Sequence, residues 1–192
     1  RDNRAAFAEQ ALSCTGRVLD CFSYVGSWGL QAIKNNKNLK LTAVDISQQA
    51  LDQLLENAEA NGLKSRVEVV LGDLFKDKKL LSDQEFELVV CDPPSLTSSA
   101  KHADDGRRVL EFCFHRAARF LKPNGGLIAF ASCSYHLTWD EFWLTIHRAG
   151  LGRNFSFKIN SIGAQSGDHP SLTNMPETRY IKSAICEVLA GY

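Results

Sequence analysis

Long apolar runs are missing from these 192 residues. None approaches the roughly 20 residues that a membrane-spanning helix needs, so no membrane segment is expected. A secretory leader is missing as well: the chain opens on Arg1-Asp2-Asn3-Arg4, and no apolar core follows. The initiator Met is missing, so the chain reads as a fragment of something longer. Net charge is missing, since 22 Lys and Arg face 22 Asp and Glu. That balance argues against a chain-wide electrostatic grip on nucleic acid and leaves room only for a local patch. No C-x-x-C pair occurs among Cys14, Cys21, Cys91, Cys113, Cys133 and Cys186. Zinc-site spacing and a compact disulfide framework are thereby excluded, and no metal is expected. Most of these cysteines read as small buried hydrophobes of a reducing, cytoplasmic compartment. Internal repeats, low-complexity tracts and obvious linkers are missing too, so residues 1–192 read as one domain. What remains is an ordinary globular composition, 44% apolar and 23% charged, long enough for a full core.

The chain is organised around Val18-Leu19-Asp20-Cys21-Phe22-Ser23-Tyr24-Val25-Gly26-Ser27-Trp28-Gly29. Val18 to Phe22 has the length and polarity of a strand. Ser23 to Gly29 is small and carries two glycines, and Leu30 to Ile33 opens a helix. A strand that turns on glycines into a helix presents bare N–H groups to a ligand. The stretch lacks the full G-x-G-x-x-G and equally fits a plain strand-to-helix turn. A short helix is expected over 2–12, with an Asp/Asn start. Further strands are expected at 40–44, 67–71, 86–91, 127–131, 155–159 and 180–189. Helices follow at 30–36, 48–61 behind the Ser47 cap, 74–81, 107–121 and 138–147. Residues 95–105 read as a loop. Leu51, Leu54, Leu55 and Ala58 form one helical stripe, closed by Asn61-Gly62. Strands alternating with helices, the strands being near-continuous apolar runs, imply an α/β fold with a doubly wound, mostly parallel sheet.

Ligands in such sheets bind at the carboxyl ends of the strands. Gathered there are Ser23 to Gly29, Asp45, Asp73, Asp92-Pro93-Pro94 and Cys133. Asp45, at the end of the second strand, can accept from both ribose hydroxyls of a nucleotide-like cofactor; a cap-region carboxylate beside Ser47 is the alternative. Asp73 can reach an adenine amine or simply form a turn. Two prolines after Asp92 remove two N–H donors and stiffen the strand exit, which fixes the direction of the carboxylate. Cys133, flanked by Ser132 and Ser134, is a candidate nucleophile if its pKa is lowered, and otherwise a buried cysteine without chemistry. Cys21 and Cys91 lie inside apolar strands and read as core. His136 and His169 stand alone, as structural or solvated histidines usually do. Lys101, Arg107, Arg108, Arg116, Arg119 and Lys122 form a basic stretch that, interspersed with Asp104, Asp105 and Glu111, reads as a solvated face rather than a phosphate site.

Taken together, these residues resemble the class I S-adenosylmethionine-dependent methyltransferases. Closer still, they resemble the catalytic domain of the PUA-linked large-subunit ribosomal RNA cytosine carbon-5 methyltransferases of the RlmI type. The likeness covers nearly the whole chain: Arg1 to Arg4, the Val18 to Gly29 loop, Asp45, Gly72-Asp73, Asp92-Pro93-Pro94, Ser132-Cys133-Ser134 and the late Asp168-His169-Pro170. It implies a Rossmann-like seven-stranded sheet whose last strand runs antiparallel. It implies S-adenosyl-L-methionine as cofactor, held by Asp20, Phe22, Ser23, Tyr24, Gly26, Asp45, Ile46, Asp73, Leu74 and Asp92. Pro93, Pro94 and Ser95 would meet the substrate base. Cys133 would add to cytosine carbon 6 while Asp92 serves the ring nitrogen, and loop 95–105 would close over a flipped-out base. The partner implied is large-subunit ribosomal RNA, with no membrane; a homodimer is one option for assembly. A guanine-methylating relative lacks the cysteine, and exocyclic-amine enzymes carry an aromatic residue where Ser95 stands. Both departures favour cytosine. The rival readings are a different target, guanine or a small molecule, and a non-catalytic cofactor-binding module. The family's amino-terminal RNA-binding domain is not in this sequence, so weak binding of RNA by these residues alone is expected.

Overall fold

The computed structural model describes residues 1–74, 76–77, 79–82, 84–96, 103–123 and 125–190. Seven strands form one sheet in the order β3-β2-β1-β4-β5-β7-β6. They are β1 (Gly16–Asp20), β2 (Leu39–Asp45), β3 (Val67–Leu71), β4 (Leu88–Cys91), β5 (Leu127–Ser132), β6 (Phe155–Gly163) and β7 (Lys182–Ala190). The first five run parallel. The last strand in sequence, β7, inserts antiparallel between β5 and β6. The doubly wound sheet with an antiparallel last strand is therefore as expected.

Helices cover both faces: α1 (Asp2–Gln10), α2 (Gly29–Asn35) and α3 (Gln48–Ala60) on one, α4 (Ala103–Arg119) and α5 (Trp139–Leu151) on the other. Alternate residues of each strand feed the two cores. Val18, Leu41, Leu88, Val90 and Ala129 pack with Ile33 and Leu54 beneath α2 and α3. Leu19, Val89, Ile128 and Phe130 pack with Phe114 and Phe142 beneath α4 and α5. Burial on both faces explains the near-continuous apolar runs of these strands. Phe114 anchors the second core, its ring 4.7 Å from Phe130 and 5.8 Å from Phe142.

The helix starts follow their caps. Ser47 Oγ accepts from Ala50 N at 3.2 Å, and Thr138 with Glu141 forms a capping box at the head of α5. Several boundaries differ from expectation. β1 ends at Asp20 rather than Phe22, because Cys21 and Ser23 turn away and donate separately to Val90 O and Val44 O, both at 3.0 Å. The described residues of 74–81 form turns, not a helix. There the Asp77 carboxylate accepts from Lys79 N at 2.8 Å and Leu80 N at 3.1 Å, a local alternative to helical bonding. α4 starts at Ala103, four residues before the expected Arg107, with Asp104 and Asp105 in its favourable first turn. The expected loop 95–105 is thus shortened, and its residues 97–102 lie outside the described residues. α5 and β6 run four residues further than the sequence pattern indicates.

Candidate active site

The sheet order reverses between β1 and β4, and the strand ends open a crevice there, the usual ligand position in such sheets. Two cavities lie side by side at this carboxyl edge. The first, about 410 Å³, is lined by Phe22, Tyr24, Asp45, Ile46, Gly72, Asp73 and Leu74. The second, about 310 Å³, is lined by Arg4, Trp28, Pro93, Ser132, Cys133, His169 and Tyr180 among others. Asp92 and Pro94 belong to both walls.

The first cavity is shaped by the loop after β1. Asp20 is fully buried, and its Oδ2 accepts from Gly29 N at 3.0 Å, which clasps the loop onto the start of α2. Burial pushes the Asp20 carboxyl up to about 7, and the charges of Asp92 and Asp45 add to the push. Tyr24 holds a left-handed backbone, φ 46°, that side chains rarely adopt. Its N–H donates to Asp45 Oδ2 at 2.8 Å, while Ser47 N donates to Asp45 Oδ1 at 2.9 Å. Each oxygen keeps an acceptor site for a ligand. Tyr24 and Ile46 are 68% and 71% exposed at the rim, an apolar lip of the kind that marks a binding groove. An apolar slot between Phe22, Ile46 and Leu74, with a carboxylate at one end, fits a nucleoside: flat ring in the slot, sugar diol on Asp45.

Of the residues expected at the cofactor, Phe22, Tyr24, Asp45, Ile46, Asp73, Leu74 and Asp92 line this cavity. Asp20, Ser23 and Gly26 are not among its lining. Asp20 and Ser23 are buried behind it, and Gly26 is shut in by Leu30 and Leu54. They shape the loop that forms this wall of the cavity.

In the second cavity, Trp28 Nε1 donates to Asp92 Oδ2 at 2.8 Å. Trp28 is itself wedged edge-on against Phe7. Burial raises the Asp92 pKa; the Trp28 bond and the Arg4 guanidinium only partly oppose it. Cys133 is half-buried. Burial, then the Asp92 charge, raises its pKa, and a hydrogen bond with the Ser95 side chain lowers it in part. The lowered pKa required of a resting nucleophile is therefore not found. Pro93 and Pro94 line the cavity, and the Ser95 side chain hydrogen-bonds with the Cys133 sulfur. Trp28, Arg4 and Tyr180, all in this wall, are not singled out by the sequence pattern. Trp28 stands inside the loop motif, where an indole between two glycines was the available signal. The remaining cysteines are free. Burial pushes Cys21 and Cys91 well up, in keeping with core packing. Much of the basic stretch is partnered: on α4 Arg107 pairs with Asp104 and Glu141, Arg108 with Asp105, and Arg116 donates to the Asp77 and Leu80 carbonyls, while beyond the helix Lys122 pairs with Glu87.

Residues 5–140 match the methyltransferase small domain family. Ribosomal RNA large subunit methyltransferase I of Klebsiella pneumoniae is 33% identical over 98% of this chain and 47% of its own length. The protein of the same name from Vibrio cholerae is 36% identical over 90% of this chain and 44% of its own. The chain thus spans about half the length of these relatives. Among solved structures, SMU.776 complexed with SAH superposes with a TM-score of 0.79 at 19% identity, over 97% of this chain and 49% of that one. TrmN from Thermus thermophilus gives 0.67 at 20% identity, over 97% and 48%. The chain belongs to the methyltransferase small domain family, enzymes whose methyl donor is S-adenosyl-L-methionine.

Proposed function

We propose that these residues are the catalytic domain of a cytoplasmic enzyme that methylates carbon 5 of a cytosine in large-subunit ribosomal RNA. One observation carries the reading: a thiol and a carboxylate, Cys133 and Asp92, share a second cavity that adjoins the nucleoside-shaped one through Asp92 and Pro94. S-adenosylmethionine supplies the methyl group as a sulfonium electrophile when bound. Phe22, Ile46 and Leu74 would enclose its adenine, Asp73 its amine and Asp45 its ribose. The names of the two relatives quoted above support ribosomal RNA as the substrate.

Carbon 5 of cytosine is a poor nucleophile until carbon 6 carries a thiolate. The Cys133 thiol gives up its proton to water as its sulfur bonds to carbon 6, and negative charge develops on the ring. Burial pushes the Asp92 pKa up, and the carboxyl in its protonated form would donate to the ring nitrogen as that charge appears. Trp28 holds Asp92 Oδ2, leaving Oδ1 for the base. Asp92 and Cys133 are coupled, because the Asp92 charge opposes thiolate formation. A protonated Asp92 removes that opposition, while burial, the larger cause, still holds the thiol up. The base must leave its stack to enter the cavity.

RNA containing 5-fluorocytosine tests this. Fluorine cannot leave carbon 5 as a proton, so with S-adenosylmethionine the full-length protein should stall as a denaturation-resistant complex that Cys133→Ala abolishes. Intact methylation of ordinary RNA with no such complex would show that the target is not cytosine carbon 5.

A further inference from the structure

The geometry points to His169 as the group that takes the proton from cytosine carbon 5; the assignment rests on the cytosine reading above. Once the sulfur has added to carbon 6 and carbon 5 has gained its methyl group, carbon 5 is tetrahedral. Its proton points away from the face that received the methyl. The methyl arrives from the side of the nucleoside-shaped cavity, so the proton faces the other one. Among the described residues lining that second cavity, two side chains besides the nucleophile carry a group of general-base type: Asp92 and His169. Asp92 sits on the shared wall, bonded to Trp28 and turned to the ring nitrogen. His169 lies away from that wall, since it lines the cavity of Cys133 and not the nucleoside-shaped one.

The imidazole is also oriented. Asp168 Oδ2 stands 3.5 Å from His169 Nδ1, which directs the proton on the ring to Nδ1 and leaves Nε2 as the acceptor. Asp168 is itself held by the Ser166 hydroxyl. Ser166 is buried, and its carbonyl accepts from His169 N at 2.8 Å, closing a tight turn under the pair. The His169 side chain is 47% accessible, open to a base entering the cavity. In the step itself, Nε2 takes the carbon-5 proton. The C–H pair becomes the carbon 5–carbon 6 double bond, the carbon–sulfur bond breaks, and its electrons return to Cys133 as thiolate. Methylcytosine leaves and imidazolium loses its proton to water.

The test uses the full-length protein, S-adenosylmethionine and a large-subunit ribosomal RNA transcript labelled with tritium at cytosine carbon 5. The wild-type enzyme should release tritium and hold no lasting complex. His169→Gln should still transfer one methyl group and accumulate a denaturation-resistant protein–RNA complex, with tritium release slowed at least about 100-fold, the lower end of general-base effects. Cys133→Ala in the same background should remove the complex. Tritium release by His169→Gln within about threefold of wild type would overturn the assignment. So would a folded variant, binding S-adenosylhomocysteine normally, that forms no complex, because the imidazole would then act before methyl transfer. Absence of tritium release from the wild type, despite methylation of the RNA, would overturn the cytosine reading itself.

Discussion

Asp20 shows how much one side chain can set at the residue scale. It is fully buried, one oxygen accepts from Gly29 N, and its Oδ1 has no hydrogen-bond partner among the described residues. Burial, with help from Asp92 and Asp45, lifts its pKa from 3.8 to about 7. Between those values the folded chain holds a proton that the unfolded chain has released. Stability from this group is therefore present below pH 4 and is lost as pH rises through 7. Asp20→Asn keeps an oxygen for Gly29 N and cannot ionise. It should be more stable than the wild type at pH 8, by on the order of a few kcal/mol, and nearly equal to it at pH 4. Urea denaturation at both pH values measures this, and parallel pH profiles for the two proteins would refute it. The same residue marks the limit of sequence reading at the site. Acids that end strands are legible as a set, because a sheet brings its strand ends together: Asp45, Asp73 and Asp92 all line the first cavity. Which acid lines the cavity and which clasps the loop depends on strand length. β1 stops two residues early, and that buries Asp20. Trp28 was illegible as the partner of Asp92 because that contact depends on a loop path that no periodicity records, and the adjacency of Asp168 and His169 does not tell that His169 lines the second cavity.

At the scale of elements, the loop between β1 and α2 is built round Gly26, whose φ is +87°. A Cβ there would stand 2.7 Å from Leu30 Cδ1 and 2.9 Å from Leu54 Cγ. Gly62, closing α3, has φ +68° with nothing within 4 Å. Both alanine variants meet backbone strain, about 1–2 kcal/mol, and only Gly26→Ala adds overpacking, about 1–3 kcal/mol more. Gly26→Ala should therefore lose roughly twice as much stability as Gly62→Ala in chemical denaturation, and should also weaken S-adenosylhomocysteine binding. Equal losses would mean that the helices part freely and that the loop is not wedged between them. The element order was legible for the same reason that the loop is tight. Strands buried on both faces must be near-continuous apolar runs, and the helices carry their own caps at Ser47 and Thr138. The stretch 74–81 was misread because its helical spacing competes with the Asp77 turn, and side-chain to backbone bonds win in a short segment. The starts of β1 and α4 shifted because ladder partners and charged first turns, not polarity patterns, decide where an element begins.

The whole molecule carries no net charge, and its pairing pattern says more than its sum. Arg107, Arg108, Lys122, Arg148, Arg153 and Lys158 each stand within ion-pair distance of a carboxylate. Arg66 and Arg116 donate to backbone carbonyls. Exposed pairs of this kind stabilise little, but each carboxylate cancels the field that a phosphate would otherwise meet. Arg4, in the wall of the second cavity, is placed to meet a nucleotide as it enters. RNA affinity for these 192 residues alone should therefore be weak and its salt dependence shallow. With about 0.7 of a counterion released per single-strand phosphate, contact with two or three phosphates gives a slope near −2 in log affinity against log salt. Raising salt fourfold should then cost roughly 10- to 20-fold in affinity. Filter binding of a single-stranded transcript across that range measures the slope. A slope steeper than about −4 would mean that the paired arginines release their carboxylates to bind backbone. The basic face of α4 would then belong to the RNA path, and Arg107→Ala and Arg108→Ala would each flatten the slope by about one unit.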